Sequence, residues 1–225
     1  MELDTLRTIA LVAPVLLFSM VAHEYAHGYA ALRQGDDTAL KAGRLTFNPV
    51  PHIDLWMTIL LPAFLLYISK GTMAFGGAKP VPVDPRKFRE FRRGDIIVSL
   101  AGVATNLVLA VVCAALFALL GALGGAIPSA AGTLRVLQQM AVYGVTLNLL
   151  LVAFNLIPIP PLDGSHVVTH LLPARLAVPY QRFGRFGLLV LILLINTPFL
   201  DYWFAPVFRV ARGLLGAVQR FALVA

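Results

Sequence analysis

Thr8-Ile-Ala-Leu-Val-Ala-Pro14-Val-Leu-Leu-Phe-Ser-Met20-Val-Ala-His23-Glu24-Tyr-Ala-His27-Gly-Tyr-Ala-Ala-Leu32 decides how this chain folds. Tyrosines aside, His23, Glu24 and His27 are its only ionisable side chains, and what precedes them is apolar or small. A run of this kind suits a membrane-spanning helix, which needs about 20 apolar residues. An ionisable group at membrane depth is costly, so three together mark a functional site. Their spacing, His-Glu-x-x-His, is specific. Positions i and i+4 share one helix face, where two imidazoles grip one metal ion, usually zinc. The glutamate between them is placed to deprotonate an attacking water. The plainer alternative is a chance His/Glu cluster at a helix end, satisfied by water, and the apolar setting counts against it.

Composition agrees with that first stretch. The 225 residues are 59% hydrophobic and 13% charged, whereas soluble domains average about 25% charged residues. The chain therefore reads as an all-α polytopic membrane protein, with room for about five or six membrane helices of roughly 20 residues each. A single membrane-embedded domain is expected over residues 1–225, with a core over about 6–170 and C-terminal helices over about 183–223. No length remains for a sizeable soluble module. The N-terminal run is too long for a cleavable signal peptide and lacks a basic start. A net charge of +7 raises nucleic acid as a partner, but no stretch joins a basic face to a soluble fold, so none is expected. The basic residues crowd instead into loops beside apolar runs. Cys113, the single cysteine, lies in an apolar run and reads as a small packing residue.

The first span covers about residues 6–32, and a polar loop follows to residue 52. A second apolar run, 53–69, carries Asp54 near its start and Pro62 in its middle. Residues 71–95 are rich in turn formers. Within them Ala78-Lys-Pro80-Val-Pro82-Val83 alternates as an extended or polyproline-like piece, giving a short extended stretch near 76–85. A third span begins near Ile96 and gives way to a loop at Gly121; a fourth runs from Val136 to about Ile157 and ends at Pro158, Pro160 and Pro161. A short fifth, about 183–200, precedes a C-terminal helix, about 202–223, whose Arg209, Arg212 and Arg220 suit a place at the interface.

Charge then constrains topology. The loops bearing Arg33, Lys41 and Arg44, the basic residues of 71–95, and Arg175, Arg182 and Arg185 all belong on the cytoplasmic side by the positive-inside rule. That holds only if 53–69 dips and returns as a re-entrant or broken segment, or lies shallow. His23 and His27 then lie near the cytoplasmic end of the first span, and the end of the fourth reaches the same depth. A full crossing, the alternative, would put the next metal candidate on the opposite side from the histidines.

A catalytic zinc centre normally takes three protein ligands and keeps one position open. The candidate third ligand is Asp163, in Asn155-Leu-Ile-Pro158-Ile-Pro-Pro161-Leu-Asp163-Gly164, a carboxylate with no basic residue nearby. Its alternative role is to cap the next helix. His166 and His170, four apart, compete as the third ligand or as a second metal site, although they also suit a helix end. Asn148 and Asn155 share a helical face and suit interhelical hydrogen bonds, as does Asn106. His52 and Asp54 read as loop-orienting residues.

These residues carry a resemblance. His23-Glu-x-x-His27 in the first hydrophobic segment, with Asn155-x-x-Pro-x-Pro-Pro-Leu-Asp163-Gly164 later, looks like the site-2 protease family of intramembrane zinc metalloproteases. Gly43-Arg-Leu-Thr-Phe-Asn-Pro49, His52-Ile-Asp54, Gly77-Ala-Lys-Pro-Val-Pro82 and Ser99-Leu-Ala-Gly102 resemble its compact bacterial branch. The likeness covers roughly residues 15–170; bacterial relatives often read Ala-Gly-Pro where this chain has Ala101-Gly102-Val103. The resemblance implies that His23, His27 and Asp163 bind one zinc ion per chain and that Glu24 is the general base. It further implies that Asn155 lines the substrate channel or helps hold the scissile peptide.

The expected function is an intramembrane zinc metalloendopeptidase that hydrolyses peptide bonds in or near transmembrane segments. Its partners would be a membrane-protein substrate with a transmembrane helix and the lipid bilayer. Its place would be the bacterial inner membrane, with the active site toward the cytoplasmic side. An unwound substrate would pair with 78–83 by strand addition. The rival is a non-proteolytic metal-binding membrane protein, a metal transporter or sensor. A carrier has no need of a glutamate placed as a base, and no internal repeat of the transporter kind is visible. An inactive relative that binds membrane partners is a further rival, against which every presumed catalytic residue is present.

Overall fold

The apolar run around His23 forms one continuous helix, α1 (Leu3–Gln34), with Pro14 inside it. It is seen in a computed structural model of the chain that describes residues 3–68, 76–195 and 197–223. The helix stops at Gly35, whose φ of 109° is left-handed. Gly35 N–H bonds Leu32 O at 3.1 Å and Asp36 N–H bonds Ala31 O at 2.9 Å. That pair of bonds closes the last turn of a helix with the residue type that adopts a left-handed φ at least cost. A single helical turn, Thr38–Lys41, follows.

Among the described residues of the run 53–69, no helix is long enough to cross a membrane. Asp54 accepts from Trp56 N and Met57 N and so caps a π-turn, Leu55–Leu60, which leads into α2 (Leu61–Ile68). The apolar stretch Leu55–Tyr67 falls short of the roughly 20 residues a span requires. Residue 69 and the first part of the loop expected over 71–95 lie outside the described residues. Beyond them Gly77 N bonds Met57 O at 3.0 Å and Thr58 Oγ1 donates to Gly77 O at 2.6 Å. The chain thus comes back to the level at which the π-turn began, as a re-entrant segment would.

Residues 76–84 then run beside the second half of α1 with no helix and no strand partner. Lys79 N bonds His52 O at 2.8 Å, and Asp84 N bonds Asp36 Oδ2 at 2.7 Å. This is the expected extended piece; among the described residues no strand forms.

Among the described residues, three helical stretches are long and apolar enough to cross a membrane: α1, α3 (Phe91–Ala126), and Pro128–Asn155, which contains α4 (Ala131–Asn155). α3 continues through Gly121, where the sequence suggests a loop. The glycines there serve packing: a Cβ on Gly121 would strike Phe221 O, and one on Gly124 would lie 2.5 Å from Leu223 Cδ1. Gln138 on α4 fixes the same C-terminal stretch, donating to Phe221 O and accepting from Leu223 N, both at 3.0 Å.

After the prolines come α5 (Asp163–Leu171), α6 (Ala174–Arg182), α7 (Gly187–Ile195) and α8 (Phe199–Val218). The expected fifth span is divided, because a tight turn, Phe183–Phe186, precedes the short α7. Ala211 of α8 is buried with Ala110 and Ala114 of α3 and Val145 and Leu149 of α4. Arg209, Arg212 and Arg220 stay exposed. Small residues let these helices approach closely, as in membrane bundles generally. Cys113 is part of that packing, its sulfur lying where a Cβ on Gly144 would go.

Candidate metal centre

α1 presents His23 and His27 on one face, and the start of α5 brings Asp163 to them. His23 Nε2 lies 2.9 Å from His27 Nε2. Asp163 Oδ2 lies 3.2 Å from His23 Nε2 and 3.4 Å from His27 Nε2. Asp163 occupies the first turn of α5, whose N-cap is Leu162. The capping alternative therefore does not describe it.

The protons of this triangle follow from its neighbours. His27 Nδ1 is 2.7 Å from Val98 O, which only accepts, so Nδ1 donates. His23 Nδ1 is 2.6 Å from Asn106 Oδ1. The Asn106 amide nitrogen donates to Asn148 Oδ1 at 2.8 Å and to Ser19 O at 3.3 Å, which turns its oxygen toward the histidine. With Nδ1 protonated on both rings, each neutral imidazole points an Nε2 lone pair into the centre. Asp163 Oδ2 is buried there and has no hydrogen-bond partner. Three acceptors converging without a proton repel one another unless a cation lies among them. A tetrahedral zinc with bonds of about 2.0–2.1 Å sets its ligand atoms about 3.3 Å apart. The residues fit the ion.

The layer behind the candidate ligands ties three helices together. Asn106 and Asn148 are fully buried, and Asn148 Nδ2 donates to Ser19 Oγ and to Gly144 O, both at 2.9 Å. Gly102 is the closest packing constraint. A Cβ there would lie 2.5 Å from His23 Cε1 and 2.6 Å from Nε2 of both histidines. Sequence reasoning gave Asn106 a cross-helix bond without naming its partner, and quoted Gly102 only within a motif. The three- and four-residue steps 99–102–106 on α3 were the available signal, since they put all three residues on one helix face.

A cavity of about 430 Å³ opens beside the centre, lined by His23, Glu24, His27, Asn155, Asp163 and His166 among others. Glu24 Oε2 accepts from Val81 N at 2.8 Å, which holds the carboxylate at the cavity wall. Asn155 donates to Leu151 O of its own helix at 3.0 Å; the interhelical bonding suggested for the pair is made by Asn148. An apolar cleft of about 640 Å³ between the first half of α1 and Pro62 and Leu66 shares Met20, Gly76 and Gly77 with the cavity.

Other sequence candidates lie elsewhere. His166 and His170 both turn to Asp95 and not to the His23–His27–Asp163 triangle. His52 Nε2 contacts Thr46 O at 3.0 Å and is fully buried, so it orients its loop. Residues 78–83 have little to offer a paired strand. Pro80 and Pro82 have no N–H, Lys79 N and Val81 N are taken by His52 and Glu24, and Arg44 holds Lys79 O and Pro80 O.

A helical membrane-type chain with a His-His-Asp centre and an adjacent glutamate defines the class. The chain belongs to peptidase family M50, the site-2 protease family, which it matches over residues 11–196. It is 37% identical over 197 residues to YwhC of Bacillus subtilis (strain 168), covering 88% of this chain and 85% of that one. It is 32% identical over 212 residues to Rip2 of Mycolicibacterium smegmatis, covering 89% of this chain and 74% of the relative. Both relatives bear zinc metalloprotease names. No solved structure matches the chain.

Proposed function

We propose that this chain is an intramembrane zinc metalloendopeptidase in which His23, His27 and Asp163 hold the metal and Glu24 is the general base. The convergence of two imidazole Nε2 atoms and one carboxylate oxygen within 3.4 Å carries the reading. When bound, zinc polarises the scissile carbonyl and lowers the cost of deprotonating water. Glu24 takes that water's proton as the oxygen bonds to the carbonyl carbon. It delivers the proton to the amine nitrogen as the C–N bond breaks, so water is consumed and two chain ends leave. Val81 N–H occupies Glu24 Oε2, which leaves Oε1 to face the water.

Substrate reaches the centre as an unwound stretch of a transmembrane helix, because hydrogen-bonded helical backbone does not open to attack. The apolar cleft that meets the cavity at Met20, Gly76 and Gly77 offers an approach for such a segment. Asn155, at the cavity wall, holds the scissile peptide. The centre lies toward the cytoplasmic face of a bacterial inner membrane, on the positive-inside argument. Glu24→Gln tests the reading: zinc content is expected to stay at the wild-type level while cleavage of a single-span substrate falls by about 100-fold or more. Undiminished cleavage in that variant would refute the assignment.

A further inference from the structure

Asp95, His166 and His170 form a second cluster of titratable groups, one helical turn from Asp163. Asp95 is buried near the start of α3. His170 Nε2 lies 2.7 Å from Asp95 Oδ2, while His166 Nδ1 lies 3.2 Å from Oδ2 and 3.3 Å from Oδ1. The two contacts differ in kind. The His170 side chain is only 10% exposed and packs edge-on against Phe91, so it ties α5 to α3. The His166 side chain is 39% exposed and lines the cavity that holds His23, Glu24, His27 and Asp163. One tie suffices to dock α5. The other imidazole remains at the wall of that cavity.

Positions 163 and 166 are i and i+3, hence neighbours on one helix face. With Nδ1 turned to Asp95, only Nε2 of His166 is left for a substrate. We infer that His166 is a further catalytic residue whose Nε2–H donates a hydrogen bond to the scissile carbonyl oxygen as charge grows on it, with Asp95 as its positioning residue. This rests on the hydrolase reading above. His166 transfers no proton: it keeps its own, and Glu24 carries the water's proton to the amine. The groups facing His166 are Asp95 from α3, His27 and Glu24 from α1, and Asp163 and His170 from its own helix. Asp95 raises the imidazole above its ordinary range, with Asp163 adding to the effect and burial and His27 opposing it. In the imidazolium form that Asp95 favours, both ring nitrogens carry protons. A preorganised donor aimed at a developing oxyanion contributes about 100- to 1,000-fold to rate.

The test uses the full chain in liposomes with a single-span substrate, comparing wild type, His166→Ala, His166→Gln and Asp95→Asn. Zinc content, kcat, KM and affinity for a phosphinate peptide, whose tetrahedral anion mimics the charged step, are measured for each. In His166→Ala, kcat and phosphinate affinity are expected to fall by about 100-fold with zinc content and KM unchanged. His166→Gln, which still donates, recovers part of both. Asp95→Asn moves the alkaline limb of the kcat profile to lower pH, because it removes the carboxylate that keeps His166 protonated. Wild-type kcat in His166→Ala overturns the inference, and so does a loss of rate that merely follows loss of zinc. If the wild type cleaves nothing, the hydrolase reading itself fails; equal phosphinate affinity in wild type and His166→Ala then overturns the inference separately.

Discussion

His23 and His27 are specified twice, once by their spacing and once by what holds their Nδ1 atoms. A carboxamide and a main-chain carbonyl, both on α3, fix the tautomer that leaves two Nε2 lone pairs facing Asp163. Removing such an outer partner typically costs 10- to 100-fold in metal affinity. Asn106→Leu is therefore expected to weaken zinc binding by about that factor, measured by competition with a chelator. Gly102→Ala is expected to do the same by another route, since its methyl group would press on both imidazoles. Unchanged affinity in Gly102→Ala would mean that the rings can shift and still bind. The spacing of His23, Glu24 and His27 stands out in the sequence because two imidazoles and a carboxylate are costly to keep in an apolar helix without a functional reason. Asp163 was legible only in partnership with it, since an aspartate at a helix start is ordinarily a cap. Asn106 and Gly102 could not be assigned, because their meaning depends on which helix lies opposite.

Helix ends and turns explain where the chain departs from its hydropathy profile. The run 53–69 is apolar, yet Asp54 caps a π-turn and the chain is back at Met57 by Gly77. Charge asymmetry in the loops, not hydropathy, is the sequence signal that asks for such a return. Asp54→Ala is expected to loosen this segment by about 1 kcal/mol, the usual worth of a cap, seen as faster amide exchange over 55–68. In the other direction, α3 outruns its expected end because Gly121 and Gly124 are contact points for the C-terminal stretch. Glycine signals a break and a close approach alike, and only the fold distinguishes them.

The junction between α1 and residues 84–87 has a pH signature. Asp37 lies 2.6 Å from Lys41 and 3.0 Å from Lys87, and these partners lower its carboxyl to about 2 from 3.8. A depressed carboxylate adds stability above its unfolded value and loses it as pH falls through the folded value. Wild type is therefore expected to lose stability between about pH 4 and pH 2 more steeply than Asp37→Asn, followed by thermal melts in detergent. Parallel curves would remove Asp37 from that account.

At the scale of the whole molecule, the centre is also a clamp. The proposed ligands come from α1 and from the start of α5, so a bound ion would join the first span to the segment that follows α4. Zinc that binds only the folded chain stabilises it by about 2.7 kcal/mol at 100 times Kd. Chelation is accordingly expected to lower Tm, restored zinc to raise it, and Asp163→Asn to abolish most of the difference. The all-α membrane class followed from composition and periodicity, and three stretches confirm the lengths a bilayer demands. The short α7 and the packing of α8 were not legible, because an apolar nonamer reads alike as half a span or as a buried helix.

The most direct measurement is a zinc titration of metal-stripped protein in liposomes, following cleavage of a single-span substrate. One equivalent of zinc per chain is expected to restore full cleavage in the wild type, and to bind equally in Glu24→Gln without restoring any. Cleavage that survives complete stripping, or a wild type saturated with zinc that cuts no transmembrane substrate, would contradict the account.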